Sequence, residues 1–200
     1  MATLAAMLAS PDGSEHVGKD LPAQAWLIER VATAIADVEF ARAHEACLIP
    51  YRIPALPTTF VMAIALTEAY ARPMWRQEAE FALARINVIV GGKLPDYSLG
   101  LAQVKPSAVR KIQGRSDEKG TANLTDSEIL NQLSQPCGNL AAAYQYLDYL
   151  MAEAGREAFD RQTADDLLIQ YNGQAEANLW PNALYREIVW QVYLRLREGI

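Results

Sequence analysis

The chain has 200 residues, 51% of them hydrophobic, and a formal net charge of -6. That length and apolar content suffice for one sizeable core and exclude a chain that is disordered throughout. The acidic balance, with no stripe of Lys and Arg, argues against a general nucleic-acid binder, because phosphate contacts need clustered cations.

Met1 to Gly13 holds a brief apolar run with no basic residue ahead of it, which does not make a convincing secretory signal. Residues 1–18 read as a loose N-terminal tail and 19–200 as one helical domain. Asp20-Leu21-Pro22 reads as a helix start, with Asp20 as cap and proline in the first turn. Leu27, Val31, Ile35 and Val38 continue it at helical spacing to about His44. Ile49 to Pro57 carries three prolines and reads as a connecting loop. Thr58 or Thr59 then caps a helix to about Ala71 that is apolar nearly all round, from Phe60 to Leu66, so a central helix is expected. The uncharged run from Ile53 to Thr67 is too short for a membrane span and is broken by Pro54 and Pro57.

Met74 to about Arg85 reads as a charged amphipathic helix. Ile86 to Val90 is β-branched, either a short strand or the end of that helix, and Gly91-Gly92 stops it. Lys93 to Gly100 is loop. A short helix starts at Pro106-Ser107 and ends by Gly114, and an exposed polar loop follows to Thr121. Thr125-x-x-Glu128 is a capping-box pattern. Pro136 breaks the chain, and Leu140, Tyr144, Leu147 and Met151 mark a helical face from about Asn139 to Ala154. Thr163-x-x-Asp166 opens a helix that stops at Asn172-Gly173. Pro181 stands at the start of the last helix, with Leu184, Ile188, Val192 and Leu196 as its stripe. The expectation is a single, mainly α domain of seven or eight helices with at most a minor β element. Cys47 and Cys137 are too few for a disulfide framework and read as buried free thiols. His16 and His44 lack metal-like spacing and read as surface residues, so neither a metal site nor a cofactor is expected.

Two segments carry chemistry. Glu68 is a lone carboxylate at the end of an apolar helix. Burial there favours its neutral form, the form that can protonate a glycosidic oxygen. The plainer alternative is a helix end emerging into solvent. Further on, Gly100 lets the chain turn tightly, and Gln103 offers a donor and an acceptor among apolar neighbours, suited to a sugar hydroxyl or amide. The alternative is a loop with a buried, satisfied glutamine.

Leu66-Thr67-Glu68 followed by Ser98-Leu99-Gly100-Leu101-Ala102-Gln103-Val104-Lys105-Pro106 resembles the glutamate and G-L-M-Q-I-x-P motifs of soluble lytic transglycosylases and goose-type lysozymes. In the same order follow Cys137 to Leu147, similar to an N-I-x-x-G-x-x-Y-L helix, and Ile169-Gln170-Tyr171-Asn172-Gly173, similar to A-Y-N-A-G. Tyr185-Arg186-Glu187-Ile188-Val189 resembles the family's closing helix, so the resemblance spans about residues 55–195. It implies a lysozyme-like fold with a cleft for peptidoglycan glycan strands as partner. Glu68 would be the general acid/base. Ser98 and Gln103 would line the cleft, Tyr171 would hydrogen-bond near the carboxylate with Asn172 beside it, and Asn139 would support the helix behind.

The chain departs from the family pattern at Ala69, at Ala102, where a larger residue is usual and the change is expected to widen a subsite, and in Met74 to Pro95, which reads as an insertion. The resemblance implies cleavage of the β-1,4 bond between N-acetylmuramic acid and N-acetylglucosamine by one glutamate, giving 1,6-anhydro ends. The alternatives are hydrolysis of the same bond, for which Asp96 is the nearest second carboxylate, and a non-catalytic glycan-binding module. Action at the periplasm or cell wall is implied, reached by a dedicated secretion system or a phage, with a secretion-machine component or a cognate inhibitor as further partner.

Overall fold

The computed structural model describes residues 25–72, 74–116, 124–172 and 180–199, and it is mainly α. Its helices are α1 (Ala25–Ile35), α2 (Val38–Glu45), α3 (Thr58–Ala71), α4 (Met74–Ile89), α5 (Pro106–Ser116), α6 (Asp126–Ser134), α7 (Pro136–Glu153), α8 (Arg161–Tyr171) and α9 (Trp180–Gly199). A 3-10 turn, Ile49–Tyr51, joins α2 to the segment before α3. Among the described residues the β component is one isolated antiparallel bridge, Leu99 to Val104. The tail at 1–18, the Asp20 cap, His16 and most of the predicted loop before Thr121 lie outside the described residues.

α3 is the axis of the packing. Phe60, Val61, Met62, Ala63, Ile64 and Ala65 are all buried, so no side of this stretch faces water. Each large apolar side chain among them contributes about 1.5–3 kcal/mol on burial. The neighbours that enclose α3 are α9, α7, α1 and α2. α9 offers Leu184, Ile188, Val192 and Leu196, the predicted stripe, together with Val189 and Tyr193. α7 offers Leu140, Tyr144, Leu147 and Met151, again the predicted face. Phe60 completes an aromatic cluster with Phe159 and Tyr193, at ring separations of 4.7 and 5.9 Å.

The structure corrects several sequence expectations. The helix predicted up to about His44 is two helices. Asp37 leaves the helical region (φ -91°, ψ 99°) and its side chain accepts from the Phe40 N–H at 2.9 Å, so it caps α2 instead of continuing α1. His44 is half-buried: its ring stacks on Phe40 at 4.2 Å and its Nδ1 lies 2.9 Å from the Phe40 carbonyl oxygen. Pro57, not a threonine, stands at the cap position of α3. Ile86 to Ile89 are helical, and Gly91 ends the run at φ +81°. α5 runs past Gly114 to Ser116. Pro136 begins α7 instead of breaking the chain. Asp160, not Thr163, caps α8, accepting the Thr163 N–H at 2.8 Å. The Thr125–Glu128 capping box is present as read.

Cys47 and Cys137 are not buried free thiols. They form a disulfide with a Cα–Cα distance of 4.9 Å, Cys137 exposed and Cys47 half-buried. The two cysteines, 90 positions apart in sequence, come together because the segment after α2 packs on α7. Tyr144 fastens the same region from inside. Its buried hydroxyl accepts the Ile53 N–H at 2.9 Å and donates to the Leu56 carbonyl at 2.9 Å, which fixes the turn leading into α3.

Candidate active site

Glu68 sits in the last turn of α3, where its carbonyl accepts the Arg72 N–H at 3.1 Å. As a residue it keeps some access to solvent, but its carboxyl lies deep enough that burial is the strongest influence and pushes its pKa above the usual carboxylate value. The Tyr185 hydroxyl and the Arg72 charge oppose that rise. Arg72 is itself held by Glu80 of α4, with Nη1 at 3.2 Å from both carboxylate oxygens, and Arg76 joins them. Tyr97 donates to the Glu80 carbonyl at 2.9 Å. The segment read as an insertion, Met74 to Pro95, therefore braces the Glu68 side of the site.

Three tyrosine-bearing elements meet there. Burial and the Glu68 charge together hold the Tyr171 and Tyr185 hydroxyls well above the usual tyrosine range. The Tyr185 hydroxyl is buried beside Glu68 and Asn172, close enough to act on both, without a hydrogen bond of standard geometry among the described residues. Tyr171 donates to the Ala102 carbonyl at 2.6 Å, which ties α8 to the Gly100–Gln103 turn. Its ring lies 5.8 Å from that of Tyr146.

The turn is closed by paired bonds, Leu99 N–H to Val104 O at 2.9 Å and Val104 N–H to Leu99 O at 3.0 Å. Gly100 takes φ +76°, and a Cβ there would come within 2.2 Å of the Asn139 side-chain nitrogen, so only glycine fits. Gln103 also has positive φ, +54°, a strained conformation for a residue with a side chain. Asn139 holds the turn in place. Its Oδ1 accepts the Ala102 N–H at 2.8 Å, and its Nδ2 donates to the carbonyls of Leu99 at 2.9 Å and Leu133 at 3.2 Å. At 1% exposure it uses both its acceptor and its donors on main chain. Gly138 beside it has no room for a Cβ, which would lie 2.3 Å from the Gln132 carbonyl oxygen.

Replacing Asn139 by alanine leaves the Ala102 N–H and the Leu133 carbonyl without their partner, at about 1–3 kcal/mol each before relaxation, while the Leu99 carbonyl keeps the Val104 N–H. We expect Asn139→Ala to lose roughly 3–5 kcal/mol of stability in urea denaturation. The Ala102 amide should also exchange faster with solvent. A loss below about 1 kcal/mol would mean that Asn139 does not hold the turn.

Gln103 donates its Nε2–H to the Gly100 carbonyl at 2.7 Å. Its Oε1 is buried with no partner among the described residues, an acceptor left over for a ligand donor. With Tyr171, Tyr146, Asp96, Ser107 and Lys111 it lines a cavity of 170 Å³. Asp96 accepts the Ser107 N–H at 2.7 Å and so caps α5. Ala102 is fully enclosed in the interior, so the expected widening of a subsite is not there. The small side chain changes packing behind the turn instead.

The structure thus brings Glu68, Tyr171 and Asn172 together, and links Gln103 to them through the Ala102–Tyr171 bond. Ser98 is half-buried ahead of the turn and makes no side-chain hydrogen bond among the described residues. Sequence reasoning missed Tyr185 and Arg72. Tyr185 stands next to Leu184 of the apolar stripe, and a tyrosine at the stripe's edge was the available signal. Among the described residues there is no cluster of His, Cys, Asp or Glu that could hold a metal ion, and no helix is long and apolar enough to cross a membrane. No family model, curated protein or solved structure matches the chain.

Proposed function

We propose that the protein cleaves the β-1,4 bond between N-acetylmuramic acid and N-acetylglucosamine in peptidoglycan, as a single-glutamate lytic transglycosylase acting at the periplasm or cell wall. The observation that carries the reading is the state of Glu68: a carboxyl kept toward its neutral form by burial, flanked by two tyrosines, at the end of the central helix. In this scheme Glu68 gives its proton to the glycosidic oxygen as the bond breaks. The resulting carboxylate takes the proton of the sugar's 6-hydroxyl, whose oxygen closes the 1,6-anhydro ring at the anomeric carbon. No water is consumed. Gln103 Oε1 accepts from a sugar hydroxyl or acetamido N–H.

Support for one carboxylate over two comes from the surroundings. Among the described residues the charge acting on Glu68 is that of Arg72, a cation. Asp96, the nearest acidic residue in the turn's own segment, has one oxygen committed to the Ser107 N–H. A hydrolase of the usual kind needs a second carboxylate as base or nucleophile. Mass spectrometry of digested peptidoglycan tests the scheme. Products ending in 1,6-anhydro sugars are expected, and products heavier by one water would replace it with hydrolysis. Absence of any soluble product, with glycan still bound, would leave a binding module.

Tyr185 gives a pH test. Its hydroxyl stabilises the Glu68 carboxylate, so removing it raises the Glu68 pKa further. The general acid is active when protonated, so the rate falls as pH climbs through that pKa. Tyr185→Phe should therefore move the alkaline limb of the kcat/KM profile to higher pH. A limb that stays put or moves down would separate Tyr185 from the acid.

A further inference from the structure

At the opposite end of α3, about 15 Å along the helix from Glu68, lies a groove of 520 Å³ lined by Glu45, Arg52, Ile53, Pro54, Leu56, Pro57, Thr58, Thr59 and Arg197. It shares no residue with the Glu68 cluster. Four features of this groove bear on one kind of ligand.

First, the α3 N-terminus is uncapped. Pro57 at the cap position supplies no side-chain acceptor. The first helical N–H with a protein partner is that of Phe60, bonded to the Pro57 carbonyl at 3.1 Å, which leaves the Thr58 and Thr59 N–H groups without an acceptor. Second, Thr58 is only 6% exposed, yet it lines the groove and its hydroxyl has no hydrogen-bond partner among the described residues. With the rest of the residue enclosed, that hydroxyl is the part of Thr58 that opens onto the groove. Third, two guanidinium groups border the groove. Arg52 is paired with Glu45 at 3.0 Å, whereas Arg197 has no carboxylate partner among the described residues. The charge balance along the lining is thus one cation in excess, added to the positive end of the helix dipole. Fourth, Ile53, Pro54, Leu56 and Pro57 make an apolar wall, and the volume is that of a pocket for a small organic molecule rather than a bare ion.

From these features we infer that the groove at the α3 N-terminus binds a small organic oxyanion. Its anionic head, a carboxylate or a phosphoryl group, takes the Thr58 and Thr59 N–H groups, the Thr58 hydroxyl and the Arg197 guanidinium. Its apolar body lies on the proline-rich wall. Helix N-termini with nearby guanidinium groups suit this chemistry because several donors converge on one anion. The inference is independent of the proposed cleavage, since none of the groups involved acts on Glu68.

The test is a titration of the full chain followed through its backbone amide NMR signals. Phenyl phosphate and benzoate serve as the two anionic probes and benzyl alcohol as the uncharged one. Saturable shifts of the Thr58 and Thr59 amides are expected with an anion, the tighter of the two naming the head group, and none with the alcohol. Arg197→Ala should weaken that binding roughly tenfold, the loss of one charge-assisted hydrogen bond. Thr58→Val keeps the shape and removes the hydroxyl, and should weaken binding several-fold with helical circular dichroism unchanged. No saturable shift with either anion, equal shifts with the alcohol, or unchanged affinity in both variants would overturn the assignment.

Discussion

Glu68→Gln should lower the rate of glycan cleavage by about 10²–10⁴-fold, the usual worth of a positioned proton donor, while leaving helical circular dichroism as it was. The amide keeps the shape of the acid and can still face Tyr185, but it has no proton to give. Stability supplies a second, independent readout. Burial raises the Glu68 pKa in the folded state, so between the ordinary carboxylate pKa and the raised one the folded chain binds more protons than the unfolded chain. The contribution of Glu68 to stability is then fully present below the ordinary value and is lost as pH rises through the raised one. Glutamine has no such dependence. The variant should unfold at a higher temperature than the parent chain in alkaline buffer, and the advantage should vanish below about pH 4, the ordinary range of a free carboxylate. Near-full cleavage by the variant would remove Glu68 from the chemistry. Loss of cleavage without the pH-dependent gain in stability would mean that its carboxyl is solvated rather than held neutral.

The helical scaffold was legible because apolar periodicity is a burial signal, and burial is what these helices do. The stripes of Leu184, Ile188, Val192 and Leu196 and of Leu140, Tyr144, Leu147 and Met151 are the faces that enclose α3. The lone Glu68 in an apolar run was legible for the same reason. What the sequence hid were the interruptions and the long-range partners. Ile35 and Val38 keep helical spacing across Asp37, so the period alone does not show that the Asp37 side chain bonds the Phe40 N–H and starts a new helix. Asp160 and Thr163 both fit a cap, and in the fold it is the Asp160 side chain that takes the Thr163 N–H. The loop motif suggested a glutamine aimed at a sugar. The device that holds the turn, Asn139 reaching across 37 residues to Ala102, leaves no periodic trace. Nor does Tyr185, whose role depends on α9 bringing it against a residue of α3.

The largest stability effect expected outside the site belongs to Cys47 and Cys137, whose pairing also had no local signal. The disulfide spans 90 residues of sequence. In the chain-entropy account, closing a loop of that size restricts the unfolded state by about 4–5 kcal/mol, and removal of a native bridge costs about 2–5 kcal/mol in practice. Cys47→Ala/Cys137→Ala should lower the stability measured in urea by an amount in that range. Because Cys137 is exposed, dithiothreitol should reach the bridge and bring the parent chain to the same midpoint. The double variant should then be indifferent to reductant, and a reductant effect of equal size in both chains would show that the bridge is not what holds them.

The position of the bridge adds a functional consequence. Cys137 is the second residue of α7, with Gly138 packed against the end of α6 and Asn139 holding the Gly100–Gln103 turn. Loosening that first turn therefore loosens the turn that carries Gln103. Cleavage should fall on reduction at temperatures where the helical signal is still intact. If activity survives until the helices melt, the bridge acts only on the stability of the whole, and Asn139 alone keeps the site in register.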